Sequence, residues 1–274
     1  MKRYRLLLFF LIIAVAIIIW IVVMREPGAV ATFAAGDPVP ALILEISDVS
    51  DGFPALSEDD TVISYSGFHL VYNEEFEQAS WVAYILKAEQ VVTGGEERTD
   101  NFRADTSIVT GSATPSDYLR SGFDRGHLAP AADMKWSAEA MSESFLMSNM
   151  SPQVPGFNRG VWNRLEAQVR DWAAANDSIL VITGPVLTGI DEFIGPNRVG
   201  VPKYYFKIIA DISPPTYKVI SFLLGNSSST ADLFSFVVTI DSIESLTGYD
   251  FFTGQPDISM IERMESATDI RGWR

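Results

Sequence analysis

Nineteen consecutive residues without a charge, Leu6 to Met24 (LLLFFLIIAVAIIIWIVVM), set apart one end of this chain from everything that follows. At ~1.5 Å per residue, a helix of that length crosses a hydrocarbon layer of ~30 Å. Lys2, Arg3 and Arg5 precede the run, and Arg25 and Glu26 follow it. A positive flank belongs on the cytoplasmic side, so the remainder of the chain is expected across the membrane. A cleaved signal peptide is the rival reading, since the Ala-rich stretches Ala29-Val30-Ala31 and Ala34-Ala35 follow. A cleavable apolar core is usually ~7–15 residues, shorter than this one, and the expectation is therefore an uncleaved anchor with its domain in the periplasm or outside the cell.

With residues 1–25 set aside as anchor or signal, 26–60 form a Gly/Ala/Pro-rich tether and an acidic lead-in, and 61–274 the folded domain. The chain has no cysteine, which removes disulfides, thiolate nucleophiles and every Cys-ligated metal site. Its two histidines, His69 and His127, cannot build a multi-His metal cage and are the few groups that titrate near neutrality. A formal charge of −15 argues against storage of nucleic acid by bulk electrostatics. The excess is local, however. Residues 45–100 hold 13 acidic and 2 basic side chains, whereas residues 120–172 hold 6 of each, so Arg125, Arg159, Arg164 and Arg170 are free to line a basic cleft.

Aromatic and β-branched runs predict strands at Phe68–Tyr72, Trp81–Leu86, Ser178–Thr183, Tyr204–Ala210 and Tyr217–Leu224, the last two bracketing a Ser213-Pro214-Pro215 turn. Gly94-Gly95 is expected as a hairpin turn. Helical spacing covers Ser137–Met147 and Val161–Ala175; in the latter Val161, Leu165 and Val169 recur every fourth residue and Trp172 adds a three-residue step. Strands, then helices, then strands favour an α+β domain over a doubly wound sheet. Trp81, Tyr84, Trp162 and Trp172 are expected in the core, and His69 in a structural place on a strand.

The chemistry concentrates in two stretches. In Asp124-Arg125-Gly126-His127, the aspartate either orients the imidazole or pairs with Arg125. Downstream, Asn158 offers a neutral oxygen and Glu166 an anionic one. On one helix they stand about 80° and ~12 Å apart, too far to bind one ion directly. A hydrated Mg²⁺ resolves this, taking one direct protein oxygen and reaching the carboxylate through water. A helix-capping Asn with a surface Glu is the bland alternative.

Those residues, with Ser148-Asn149, Pro152-Gln153 and Trp162, resemble the DNA/RNA non-specific endonucleases, the family of secreted bacterial nucleases and mitochondrial endonuclease G. The likeness extends to Trp81–Tyr84, Phe102–Asp105, Thr183–Pro185 and Val201–Lys207, roughly residues 60 to 255. The resemblance implies a mixed, mainly antiparallel central sheet with packed helices and a ββα-metal (His-Me finger) site. It implies His127 as general base, Asn158 as the single direct ligand of one Mg²⁺ or Mn²⁺, and Glu166 bonded to the ion's waters. Arg125 and Arg170 are expected at substrate phosphates and Arg98, with Arg103 as a nearby rival, at the transition state. Asp124 and Asn149 are expected to hold the site in shape. DNA and RNA are the implied substrates, and a homodimer is compatible with the family. Two other classes stay open at this point: a metal-dependent phosphodiesterase for lipids or small nucleotides, and a tethered binding module on the same fold.

Overall fold

A computed structural model describes residues 48–212 and 218–274. The apolar run at 6–24, the tether and the Ser213-Pro214-Pro215 turn lie outside the described residues; among those described, no helix is long and apolar enough to cross a membrane.

The centre is a seven-stranded sheet in the order β1-β2-β3-β6-β9-β10-β11. Its strands are β1 (Val62–Ser64), β2 (His69–Asn73), β3 (Gln78–Lys87), β6 (Ser178–Pro185), β9 (Tyr204–Asp211), β10 (Lys218–Gly225) and β11 (Val237–Val238). Every neighbouring pair runs antiparallel, from Val62↔Val71 at one edge to Phe222↔Val237 at the other, so the sheet is antiparallel throughout rather than mixed. Hairpins and returning segments account for this: no helical crossover carries the chain between parallel neighbours. The interior strand β3 is buried on both faces over almost its whole length, which explains its apolar run from Trp81 to Leu86.

β3 and β6 are neighbours in space, with Lys87 opposite Ser178, yet 90 residues separate them. That insertion carries α1 (Ala88–Thr93), β4 (Asp124–His127), α2 (Ala138–Glu143), β5 (Met150–Gln153) and α3 (Asn163–Ala175). Gly94 follows α1 and its N–H bonds back to Gln90 O at 3.1 Å, so Gly94-Gly95 ends a helix and turns no hairpin. A further two-stranded ladder joins β7 (Phe193–Ile194) to β8 (Val199–Gly200).

The two faces of the sheet bury separate cores. On one, Val82, Tyr84, Val181, Tyr205 and Ile209 meet Val161, Leu165, Val169 and Trp172, the stripe that the spacing of α3 predicts. On the other, Trp81, Ile182, Phe206 and Ile208 meet α4 (Ile240–Thr247) and α5 (Ile258–Glu265) through Ile240, Ile243 and Ile261. Val49, in the acidic lead-in, packs into this second core. Residues 233–240, β-rich in sequence, divide into a 3-10 turn, the short β11 and the start of α4. Gly248, at φ 79°, then ends α4 in the left-handed conformation that favours glycine.

Candidate active site

β4 and β5 pair antiparallel, Gly126 opposite Ser151 and His127 opposite Met150, and the chain then runs through residues 154–162 into α3. The pairing requires a glycine: a Cβ at Gly126 would sit 2.1 Å from Cδ of the buried Gln153. Beyond β4, Asn149 braces the backbone. Its Oδ1 accepts from Ala129 N, and its Nδ2 donates to Ala129 O and Ser144 O, each at 2.9 Å. His127 is thereby fixed at the wall of a cleft of about 350 Å³, lined also by Arg98, Arg125, Asn158, Arg159, Asn163 and Glu166.

Two phenylalanines shape this wall. Phe145 meets the imidazole edge-on at 5.0 Å between centroids, and Phe102 lies tilted at 5.8 Å. Each ring also carries a guanidinium: Arg98 stands 4.7 Å over Phe145 and Arg125 3.9 Å over Phe102. Nε2 of His127 is sealed off without a hydrogen-bond partner among the described residues, so Nδ1 is the ring nitrogen left to the cleft. Burial of the ring, then the charges of Arg98 and Arg125, push its pKa down to about 3. The imidazole is neutral at any ordinary pH.

Among the described residues, Asp124 hydrogen-bonds to neither the imidazole nor Arg125. Its carboxylate accepts from Arg159, Nε to Oδ2 at 2.8 Å and Nη2 to Oδ1 at 2.6 Å, and from Asn158 Nδ2 at 3.0 Å. Burial raises its pKa, and the Arg159 and Asn158 hydrogen bonds outweigh that and hold it below the usual range. A carboxylate only accepts, which settles which end of the Asn158 amide faces it. Nδ2 points to Asp124, and Oδ1 is left for the cleft that Asn158 lines.

Asn158 and Glu166 do not share one straight helix. Phe157–Trp162 is a wide, π-type turn that breaks at Gly160 (φ −106°, ψ −109°) before α3 begins. Such turns are frequent at functional sites. Here both residues line the same cleft.

Beneath Glu166 lies a cluster of buried charge. Asp133, 2% exposed, accepts from Tyr84 OH at 2.8 Å and from Arg170 Nη1 at 2.9 Å. Lys207 on β9 is fully buried on the same face, its Nζ 4.7 Å from the Trp162 ring centroid with no hydrogen-bond partner among the described residues. Burial raises the pKa of Glu166 and lowers that of Lys207, while their opposite charges act against both shifts.

Of the expected arginines, Arg98, Arg125 and Arg159 reach the cleft. Arg103 donates to Ser142 O at 2.8 Å, Arg164 to Ala231 O at 3.0 Å and Arg170 to Asp133; none of the three lines it. Between Arg98 and Arg103, the geometry therefore favours Arg98. Asn163 and Lys207 escape sequence reasoning as site residues. A lysine inside the apolar run YYFKIIA was the one available signal, because a buried ammonium is costly without compensation.

Residues 49–258 match the family model described as DNA/RNA non-specific endonuclease. The chain is 35% identical over 214 residues to human mitochondrial endonuclease G, covering 73% of this chain and 71% of that protein. It is 34% identical over 213 residues to a nuclease of Nostoc sp., covering 72% and 75%. Among solved structures, a chain in an EndoG/EndoGI complex, described as showing the mechanism of EndoG inhibition, superposes with a TM-score of 0.68 at 34% identity. The match covers 75% of this chain and 90% of that one. This chain belongs to the DNA/RNA non-specific endonuclease family.

Proposed function

We propose that the protein is a metal-dependent endonuclease that hydrolyses phosphodiester bonds in DNA and RNA without regard to sequence. One observation carries this reading: a neutral imidazole, a free amide oxygen and a carboxylate face one another across a single arginine-lined cleft. The donor set suits one hydrated Mg²⁺ or Mn²⁺, with Asn158 Oδ1 as the direct ligand and Glu166 accepting from the ion's waters. Bound there, the ion supplies positive charge against the phosphoryl and leaving oxygens as they become more negative.

The chain's own groups supply the rest. With the imidazole proton on Nε2, the lone pair of His127 Nδ1 is available to take the proton of an attacking water. Arg98 and Arg125, held in place by their phenylalanine rings, oppose the charge that develops on the phosphate. Asp124 keeps the Asn158 oxygen turned inward and restrains Arg159. Contacts confined to phosphate and sugar leave the bases unread, which fits cleavage blind to sequence. The nuclease relatives favour this over a lipid phosphodiesterase, and intact His127, Asn158 and Glu166 favour it over a binding module.

Digestion of plasmid and of RNA in magnesium tests the reading. The full chain is expected to degrade both, chelator to stop it, and Asn158→Ala to lose the metal-dependent rate. Undiminished digestion in chelator overturns it. We further propose that residues 6–24 anchor the enzyme with its catalytic domain on the non-cytoplasmic side. Protease added outside intact cells, or to spheroplasts, is expected to remove the domain from a membrane-bound chain. Recovery of a shortened chain in the medium would favour cleavage and secretion instead.

A further inference from the structure

On the sheet face opposite the cleft, α4 and α5 bring three carboxylates together: Asp241 and Glu244, three residues apart on α4, and Glu265, the last residue of α5. One oxygen from each lies within 4.8 Å of the other two. Glu265 is only 5% exposed, and its Oε1 is sealed from water with no hydrogen-bond partner among the described residues. Such a group is rare in a folded protein and calls for a physical account. A buried carboxylate with neither a base nor an N–H to meet it is costly, yet this one is directed at two further acids.

The surroundings make the problem worse. Asp241 and Glu244 face Glu265 from α4, Asp250 from the connecting loop and Glu262 from α5 itself. Burial, followed by these four acids, pushes the Glu265 carboxyl up to about 8. Glu244 is already oriented, its Oε1 accepting from Phe251 N at 2.9 Å. A cavity of about 240 Å³, lined by Asp250, Glu262 and Glu265 among others, adjoins the cluster and has room for water ligands.

We infer that Asp241, Glu244 and Glu265 form a second, non-catalytic site for a hard divalent cation of the calcium class. Only oxygen donors are offered, which disfavours the softer transition metals. Calcium accepts an irregular shell of 6–8 oxygens at about 2.3–2.6 Å, and so spans carboxylates spaced like these; magnesium demands a tighter octahedron. Three carboxylates completed by water suit the weak end of calcium sites, a Kd of about 10⁻⁴–10⁻³ M.

Thermal melting of the full chain with and without millimolar calcium chloride tests the inference, using Glu265→Gln as the partner variant. Calcium is expected to raise the wild-type midpoint by about 2–4 °C. Glu265→Gln, which keeps the shape of the neutral acid but cannot give up a proton to a cation, should fold like wild type without calcium and gain nothing from it. Asp241→Asn, at an exposed position that does not disturb the core, should lose most of the calcium increment. The inference is overturned if wild type gains nothing, in which case Glu265 is simply a neutral buried acid. It is equally overturned if both variants keep the full increment, which would place the effect in the catalytic cleft.

Discussion

Replacing His127 by alanine removes the one imidazole that faces the cleft while leaving Arg98, Arg125 and Asn158 in place. Single-turnover plasmid nicking is expected to fall by about 10²–10⁴-fold, with DNA affinity in chelator unchanged. The same histidine sets an acid limit. Its folded pKa lies near 3, below the unfolded value of about 6.5, so between those values the unfolded chain binds more protons. Stability therefore rises with pH across this window, and His127 withdraws support as pH falls from about 6.5 toward 3. Urea titrations at a series of acidic pH values should show His127→Gln losing stability less steeply than the parent.

Among the elements, the β4–β5 ladder is the least forgiving. Gly126→Ala places a methyl group against buried Gln153, and the overpacking should cost about 1–3 kcal/mol of unfolding free energy in a urea titration, with nicking reduced as His127 shifts. Much of this architecture was legible beforehand. The strands at 78–87, 178–185 and 204–211 announce themselves by apolar runs, and α3 by the recurrence of Val161, Leu165, Val169 and Trp172. The wide turn at Phe157–Trp162 was not, since the helical recurrence begins only at Val161 and carries no mark of the turn that leads into it. Nor was the partner of Asp124. Adjacent charges in Asp124-Arg125 suggest a local pair, but in an extended strand neighbouring side chains point to opposite faces, and Asp124 finds Arg159 from another element. The buried cluster of Asp133, Arg170 and Lys207 depends on three segments meeting, which periodicity cannot report.

At the scale of the molecule, a net charge of −15 coexists with a cleft that presents Arg98, Arg125 and Arg159. Substrate binding should then be weak and strongly salt-dependent. For the His127→Ala enzyme in chelator, the slope of log affinity against log salt on duplex DNA should shrink by about 0.9 when Arg125 is also replaced by alanine. Filter binding over a salt series measures it, and an unchanged slope would remove Arg125 from the phosphate contacts.

The strand order has one more consequence. The chain leaves the sheet at Lys87 and rejoins it beside the same strand at Ser178, while Val109, in the first third of the excursion, is fully exposed. A cut there would divide the enzyme into a piece bearing β1–β3 and Arg98 and another bearing His127, Asn158 and Glu166. The β3–β6 ladder and the core beneath α3 would still hold the halves together, so the two should elute as a single species by gel filtration. Made as separate polypeptides, neither half would carry a complete set of reactive groups, and nucleic-acid cutting would depend on their reunion.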